Sequence, residues 1–174
     1  LIQLEFRKDM IERSRAREFV GNNHQLPRPA GDQQIVWNDK VIHIKNQYRR
    51  SWTEGTNKDQ SRYVANGEVG IVTWAERRNK SDQLVVIFGT QPTIRFKYYA
   101  SKVDECLELA YALTIHKSQG SDFDIVFLII PRAAATLSRE LVYTALTRFP
   151  EKLLLQMEQD TRVLEQFRKP ITSE

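Results

Sequence analysis

The chain has 174 residues, of which 41% are apolar, and its 26 basic and 22 acidic residues give a formal net charge of +4. This length and apolar content predict one folded domain, with or without a small insertion, and exclude a wholly disordered chain. The mild positive charge is compatible with a nucleic-acid partner or with an ordinary solvated surface. The single cysteine, Cys106, excludes an intramolecular disulfide, argues against a zinc site and predicts a reducing, cytoplasmic location.

The first part of the chain, residues 1–34, is predicted to be a helix followed by a linker. Apolar residues among dense charges predict a helix over residues 2–20, with Gly21 suited to its C-terminal cap. Pro27 prevents continuation of the helix, so residues 21–34 are predicted to be an extended loop. The chain contains no apolar run long enough to span a bilayer and begins without a signal-peptide pattern, so no membrane partner is expected.

Residues 35–100 alternate apolar and polar positions, a pattern that predicts short strands. Four segments carry the pattern: IVWNDKVIHIKNQ, EVGIVTW, QLVVIFG and TIRFKYY. The tetrapeptides WNDK and ANGE contain the Asn, Asp and Gly that tight turns use. The polar stretch between Gln47 and Tyr63 is predicted to be a mobile loop. Short strands at this spacing predict a small β-barrel.

The last part, residues 101–174, has a different pattern that predicts alternating strands and helices. DIVFLIIP is a continuous apolar run, as expected for a strand buried on both faces of a parallel sheet. LSRELVYTALTRF predicts a helix capped by Ser138, KLLLQM predicts a second buried strand, and Asp160 begins a final helix. This order predicts an α/β layer with parallel strands.

Two long motifs in this last part resemble a known family. LAYALTIHKSQGSDFDIVFLIIP resembles motif V of superfamily 1 DNA helicases of the RecD-like branch, in the UvrD-like C-terminal domain family. LVYTALTR resembles their motif VI, and WNDKVIHIKNQY with YVANGEVGIVT is similar to the start of an SH3-like β-barrel insertion in the same proteins. The resemblance covers about residues 35–155. It implies an α/β fold class: part of a RecA-like parallel-sheet domain (residues 101–174) with an inserted SH3-like β-barrel (residues 35–100).

The resemblance also implies a surface for single-stranded DNA. It places Thr114 and His116 against the DNA, and with Lys117 and Ser118 these side chains offer hydrogen-bond donors to phosphates or bases. Such contacts position a strand without reading its sequence. Taken alone, a histidine such as His116 is more often structural, whereas its place within the whole motif favours DNA contact.

The resemblance further implies that four residues face a nucleotide: Gln119, Gly120, Asp122 and Arg148. Gly120 permits close backbone approach or a positive φ, and Asp122 stands where relatives carry a carboxylate near the ribose. The resemblance implies that Arg148 is catalytic, and a planar, permanently charged guanidinium suits the charge that develops on a transferred phosphoryl group. The alternatives are a helix C-cap at Gln119–Gly120, a turn cap at Asp122 and a helix-dipole contact for Arg148.

Aromatic residues in the barrel segment have two interpretations as well. Trp37 and Trp74 are predicted to be core residues, whereas Trp52 is predicted to lie in a loop where it can contact a ligand. The segment from Tyr48 to Arg50 is either a solvated corner or a series of phosphate contacts.

The chain contains no GxxxxGK[ST] motif, and no acidic pair follows an apolar strand. ATP and Mg²⁺ are therefore expected to be held mainly by a separate N-terminal RecA-like ATPase domain, and no metal ligand is predicted here. The chain is predicted to be the C-terminal part of an ATP-dependent DNA helicase that moves on single-stranded DNA, inactive when isolated. The alternatives are an ATP-independent nucleic-acid-binding module and a purely structural subunit.

Overall fold

The computed structural model describes residues 2–20, 24–26, 28–53, 55–56, 59–78, 81–118, 125–130, 140, 143–144 and 152–157. The chain divides into two compact units, Leu1–Leu113 and Thr114–Glu174, and each is described by itself. No helix within the described residues is long and apolar enough to cross a bilayer.

The first unit begins with helix α1 (Ile2–Ala16), which is shorter than predicted. Arg17 adopts the left-handed conformation with φ of 57°, which ends the helical hydrogen-bonding pattern before Gly21 is reached. The next residues form a small antiparallel pair, β1 (Phe19–Val20) with β2 (His24–Gln25). The predicted loop over residues 21–34 therefore contains a short strand.

Seven further strands of the first unit form one open sheet. They are β3 (Lys40–His43), β4 (Gln47–Thr53), β5 (Gln60–Val64), β6 (Val69–Arg78), β7 (Ser81–Phe88), β8 (Ile94–Tyr99) and β9 (Leu107–Leu109). Their order is β5-β4-β8-β7-β6-β3-β9, and each neighbouring pair is antiparallel. A short 3₁₀ helix (Ala100–Lys102) connects β8 towards β9.

The four predicted strand segments are confirmed as β3, β6, β7 and β8, and both predicted turns are present. In the WNDK turn Asn38 has φ of 67°, and in the ANGE turn Gly67 has φ of 96°. These left-handed conformations are the ones that Asn and Gly adopt at least cost, which is why the two turns were readable from composition.

The predicted mobile loop between Gln47 and Tyr63 is wrong, because β4 and β5 occupy most of it and pair with each other. Both strands are polar along their length, yet Ser51 in β4 and Val64 in β5 are buried. Strands with one solvated face carry few apolar residues, so their composition resembles that of a loop.

The core of the first unit is built from side chains of this sheet and of the segments that flank it. Its largest fully buried side chains include Tyr98, Phe88, Phe96, Ile35 and Leu84. Phe88 and Phe96 pack edge to face with ring centroids 5.4 Å apart, a favoured arrangement for aromatic pairs.

The second unit contains a two-stranded parallel sheet, β10 (Ile125–Ile130) with β11 (Lys152–Met157). Leu128 and Ile130 are buried, and three partly buried residues pack against them: Ile115, Leu153 and Met157. The other side of β10 is exposed, with Phe127 72% accessible. The prediction that DIVFLIIP forms a strand is thus confirmed, but among the described residues of this unit one face of the strand is exposed, not buried as predicted.

The predicted fold class is wrong. The described residues form mainly antiparallel sheet with one helix, not an α/β RecA-like parallel-sheet domain. Nor is the SH3-like barrel closed, because β5 and β9 end the sheet without pairing with each other in the described structure. Short turns join most neighbouring strands in the chain, and short connections produce antiparallel pairs. The predicted helix over LSRELVYTALTRF is described only at Glu140, Tyr143 and Thr144, and the helix from Asp160 lies outside the described residues.

Candidate functional site

The polar segment between β9 and β10 begins with a hydrogen-bonded turn at residues 114–118. Lys117 N–H donates to the Thr114 hydroxyl at 3.3 Å, and Ser118 N–H donates to the Thr114 carbonyl at 3.0 Å. The Ser118 hydroxyl donates to the Ile115 carbonyl at 2.8 Å. Thr114 thus acts as the cap of this turn, as its side-chain oxygen satisfies a backbone N–H that would otherwise lack a partner.

This turn is attached to the sheet of the second unit through Ile115, which packs against Leu128 and Ile130. The flanking side chains of Thr114, His116 and Lys117 are exposed, whereas Ser118 is partly buried. The structure therefore brings all four predicted DNA-binding residues onto one turn, with an apolar anchor inward and a histidine and a lysine outward. Two of the four, Thr114 and Ser118, also have a local structural role.

The predicted nucleotide-binding residues Gln119, Gly120, Asp122 and Arg148 lie outside the described residues. Their roles stay predictions. Among the residues that are described, no group of three or more His, Cys, Asp or Glu side chains is arranged to hold a metal ion.

A buried ion pair in the first unit, Arg7 with Asp39, was not predicted from the sequence. Arg7 of α1 binds Asp39 through two contacts, Nε to Oδ1 at 2.6 Å and Nη2 to Oδ2 at 2.9 Å. Asp39 also accepts hydrogen bonds from the backbone N–H of Val36 at 2.8 Å and from the Tyr111 hydroxyl at 2.9 Å. Each partner is almost inaccessible to solvent, so breaking the pair would leave an uncompensated buried charge.

Asp39 of this ion pair also holds Tyr111, in the segment that precedes the turn at residues 114–118, through a hydrogen bond. Tyr111 lies three residues before Thr114, and burial raises the pKa of its hydroxyl to about 12, with the hydrogen bond to Asp39 adding to the effect. The phenol therefore stays protonated and remains a donor to Asp39 throughout the physiological range. No sequence signal identified this contact, because Arg7 is one of many charges in α1 and Asp39 was explained by a turn.

A second buried polar cluster surrounds His43 in β3. The Gln47 amide nitrogen lies 3.4 Å from Nε2, and the Tyr98 hydroxyl lies 3.1 Å from Nδ1. Because the Gln47 amide nitrogen can only donate, this contact is satisfied by a neutral ring with its proton on Nδ1, which then donates to the Tyr98 hydroxyl. Burial lowers the pKa of His43 to about 4, and the positive charge of Arg49 adds to the effect. His43 is therefore a neutral structural histidine in the core.

The tryptophans were predicted with mixed success. Trp37 is partly buried, and its indole N–H donates to the Thr73 carbonyl at 2.5 Å. Trp52 lies in strand β4, not in a loop, and is only partly exposed. The side chain of Trp74 lies outside the described residues.

Comparison with known proteins relates the chain to helicases. Residues 109–155 match the model of the UvrD-like helicase C-terminal domain, which includes the whole polar turn and strand β10. The chain is 35% identical over 139 residues to an uncharacterized protein, MJ1519, of Methanocaldococcus jannaschii. It is 35% identical over 98 residues to the ATP-dependent RecD2 DNA helicase of Deinococcus radiodurans, and 27% identical over 137 residues to the RecBCD enzyme subunit RecD of Haemophilus influenzae.

These matches cover most of this chain but little of each relative. They span 76%, 53% and 75% of the present chain, in that order, but only 11%, 12% and 18% of the relatives. The chain thus spans less than a fifth of the length of each of these relatives.

Proposed function

We propose that this chain, which belongs over residues 109–155 to the UvrD-like helicase C-terminal domain family, is part of an ATP-dependent DNA helicase. In this proposal the parent protein couples ATP hydrolysis to movement along single-stranded DNA, as expected from the motifs. The chain contributes part of the DNA surface and one catalytic arginine. A separate ATPase domain of the same protein holds Mg²⁺ and most of the nucleotide. A cytoplasmic location is part of the proposal, in agreement with the free, buried thiol of Cys106.

The observation that carries the proposal is the turn at residues 114–118 within the family match. An apolar side chain, Ile115, fixes the turn to a sheet, and His116 and Lys117 project from it. Exposed donors on a rigid support suit contact with a phosphate backbone, since a rigid support lowers the entropy lost on binding. The relatives named above as helicases support DNA as the ligand.

Arg148 is proposed as the catalytic residue of this chain. It ends the LVYTALTR segment, and an arginine that approaches the transferred phosphoryl group stabilises the charge of the transition state. In other phosphoryl-transfer enzymes such an arginine contributes ~10³–10⁵ in rate. Gln119, Gly120 and Asp122 are proposed to contact the nucleotide beside it.

The test is ATP turnover of the native-length protein with Mg²⁺, measured with and without single-stranded DNA. We expect DNA to stimulate the wild type, and Arg148→Ala to lower the stimulated rate by about 10³-fold or more while DNA affinity is retained. Arg148→Lys keeps the charge but loses the planar fork and should recover little of the rate. The matched control is Arg13→Ala, because Arg13 is a solvent-facing helix residue paired with Glu18.

Two results would contradict the proposal. Stimulated turnover in Arg148→Ala that equals the wild-type rate would remove the catalytic role of Arg148. If the native-length wild type shows no ATP turnover with DNA present, the helicase function is refuted, and an ATP-independent nucleic-acid-binding module becomes the favoured function. The isolated 174-residue chain, which has no GxxxxGK[ST] motif, should hydrolyse only traces of ATP, and appreciable turnover by it would also contradict the proposal.

A further inference from the structure

The outer face of strands β5, β4 and β8 carries a continuous group of aromatic and basic side chains. Residues directly opposite on antiparallel strands share a face, and here Tyr48 lies opposite Tyr63 and Trp52 lies opposite Arg95. Side chains two residues apart on one strand also share a face. Six residues form what we call the aromatic–basic face: Tyr48, Arg50, Trp52, Tyr63, Arg95 and Lys97.

The aromatic members are accessible to a ligand. Tyr48 is 73% exposed and Tyr63 is 46% exposed, although both sit on paired strands of a well-packed sheet. Their rings form an edge-to-face pair with centroids 5.5 Å apart, which holds the two rings in one orientation. Large exposed aromatic rings in fixed orientations are platforms on which nucleic-acid bases stack.

The basic members supply the charge that a phosphate backbone needs. Lys97 Nζ lies 5.6 Å from the centre of the Trp52 ring, so one cation and one aromatic platform are adjacent. Arg50 Nη2 contacts Asp59 Oδ2 at 2.9 Å, but both side chains are more than half exposed, and exposed ion pairs contribute little. A phosphate can therefore replace the Asp59 carboxylate at small cost.

The opposite face of the same strands is part of the core and keeps the aromatic–basic face rigid. Ser51 of β4 and Phe96 of β8 are fully buried and lie directly opposite each other. Arg49 turns inward as well, with its guanidinium 4.0 Å from the centre of the Tyr98 ring and Nη2 donating to the Lys97 carbonyl at 3.0 Å. Because alternate side chains are buried in the core, the backbone that carries the outward side chains is held in place.

We propose that the aromatic–basic face binds single-stranded DNA, with bases stacked on Tyr48 and Trp52 and phosphates contacted by Arg50 and Lys97. This inference rests on the proposed function for the choice of DNA, and it adds a second contact surface in a different unit from the turn at residues 114–118. Tyr48 and Trp52 are four residues apart on one strand, a separation of roughly 13 Å. At about 3.4 Å for each stacked nucleotide, the face engages a segment of about four nucleotides.

The experiment is binding of a fluorescent oligothymidine to the native-length protein, followed by anisotropy at several salt concentrations. Tyr48→Ala and Trp52→Ala should each weaken binding by about 5- to 100-fold, and Trp52→Phe should restore most of the loss because a phenyl ring still stacks. Phe19→Ala is the matched aromatic control, since Phe19 is 64% exposed but lies on β1. Its affinity should equal that of the wild type.

The basic residues are tested by the salt dependence of the same binding. Lys97→Gln should lower the slope of log affinity against log salt by about 0.7, the value expected for one lost single-strand phosphate contact. Lys45→Gln is the control, because Lys45 is an exposed lysine that pairs with Glu105 away from this face. Its slope should be unchanged.

Failure of this inference can be told apart from failure of the proposed function. If Tyr48→Ala and Trp52→Ala both bind DNA with wild-type affinity, and DNA still stimulates ATP turnover, the inference is overturned and the helicase function stands. This result is expected if the aromatic–basic face binds a protein partner instead. Weakened DNA binding in these variants, in a protein without any ATP turnover, would support the inference and overturn the motor. Unchanged melting temperatures, with rescue by Trp52→Phe, exclude misfolding as the cause of a loss.

Discussion

The two compact units of the chain bury their apolar residues to very different extents. In the first unit, the sheet β3–β9 encloses one aromatic and aliphatic core in which Phe88, Phe96 and Tyr98 are fully inaccessible. In the second unit, the strand pair β10–β11 buries Leu128 and Ile130 but leaves Phe127 and Ile129 largely exposed. The first unit thus has a core of its own, whereas among the described residues of the second unit the apolar strand β10 has one covered face.

This difference indicates how stability and function are divided between the two units. Buried apolar area is the main stabilising contribution to a fold, so the first unit is expected to dominate the unfolding free energy of the chain. The residues proposed to contact DNA lie on the surfaces of both units, and the predicted catalytic Arg148 lies in the second. Substitutions that distinguish the two cores therefore test the comparison most directly.

The largest expected effect is that of truncating a phenylalanine in each unit. Phe96→Ala should lower the free energy of unfolding by ~3–5 kcal/mol, because it leaves a cavity in a packed core. Phe127→Ala, at a side chain that is 72% exposed, should change it by less than about 0.5 kcal/mol. Urea unfolding of the 174-residue chain measures both changes. Similar losses for the two variants would refute the distinction between the units.

The second effect is a pH dependence that resides in the first unit. Burial lowers the pKa of His43 from 6.5 to about 4, so the folded chain binds this proton more weakly than the unfolded chain does. Its neutral form is stabilising, and the stability is fully present above pH 6.5 and falls as the pH decreases towards 4. The expected loss is roughly 3 kcal/mol.

Unfolding at pH 7 and pH 4.5 measures this dependence. His43→Gln should lower the stability at pH 7 but should show a smaller further loss at pH 4.5 than the wild type. The matched control is His116→Gln in the second unit, because His116 is exposed and its replacement should keep the wild-type pH profile. An identical pH profile for His43→Gln and the wild type would show that His43 is not the titrating group.

The smallest effect concerns the contact that precedes the polar turn. Tyr111→Phe removes the hydroxyl that donates to Asp39 at 2.9 Å, while Arg7 and the Val36 N–H still satisfy the carboxylate. The expected cost is about 1.5–3 kcal/mol, the range for a hydrogen bond to a charged group. The matched control is Tyr48→Phe, whose side chain is 73% exposed and should be neutral.

Alkaline titration of the tyrosines provides an independent check of that contact. Tyr111 should ionise at about pH 12, and the corresponding step in the absorbance of the wild type should be missing in Tyr111→Phe. If Tyr111→Phe has wild-type stability and titrates as the wild type does, the hydrogen bond to Asp39 contributes nothing.

The strands that could be predicted from sequence were those with clear alternation or a pure apolar run. The segments containing Val72 and Phe96 alternate between buried and more exposed residues, whereas those containing Val41 and Val86 are nearly continuous apolar runs with consecutive buried residues, and each of the four is a strand. The strands β4 and β5 were not predicted, because their sequences lack such a pattern. Their outward positions carry Tyr48, Arg50 and Ser61, and their inward positions include Arg49 and Arg62, so no apolar period is visible.

The candidate site was predicted in part. The motif at residues 114–118 could be located because His, Lys and Ser are unusual between two apolar segments, and the structure brings these residues together on one turn. Arg7 and Asp39 could not be located, since they are 32 positions apart and neither stands out from its surroundings. The aromatic–basic face was hidden for the same reason, because Lys97 meets Trp52 only through the pairing of β4 with β8.

By itself the sequence determined the local features of this protein: where turns form, which apolar segments become strands, and that residues 109–155 carry helicase motifs. These features depend on neighbouring residues, through side-chain alternation and the backbone preferences of Asn and Gly. Only the tertiary structure decided that the sheet is open and mainly antiparallel, that Arg7 neutralises Asp39 in the core, and that aromatic and basic residues share one outer face. Each of these depends on strand order and register, which bring together residues distant in the chain and which no single segment encodes.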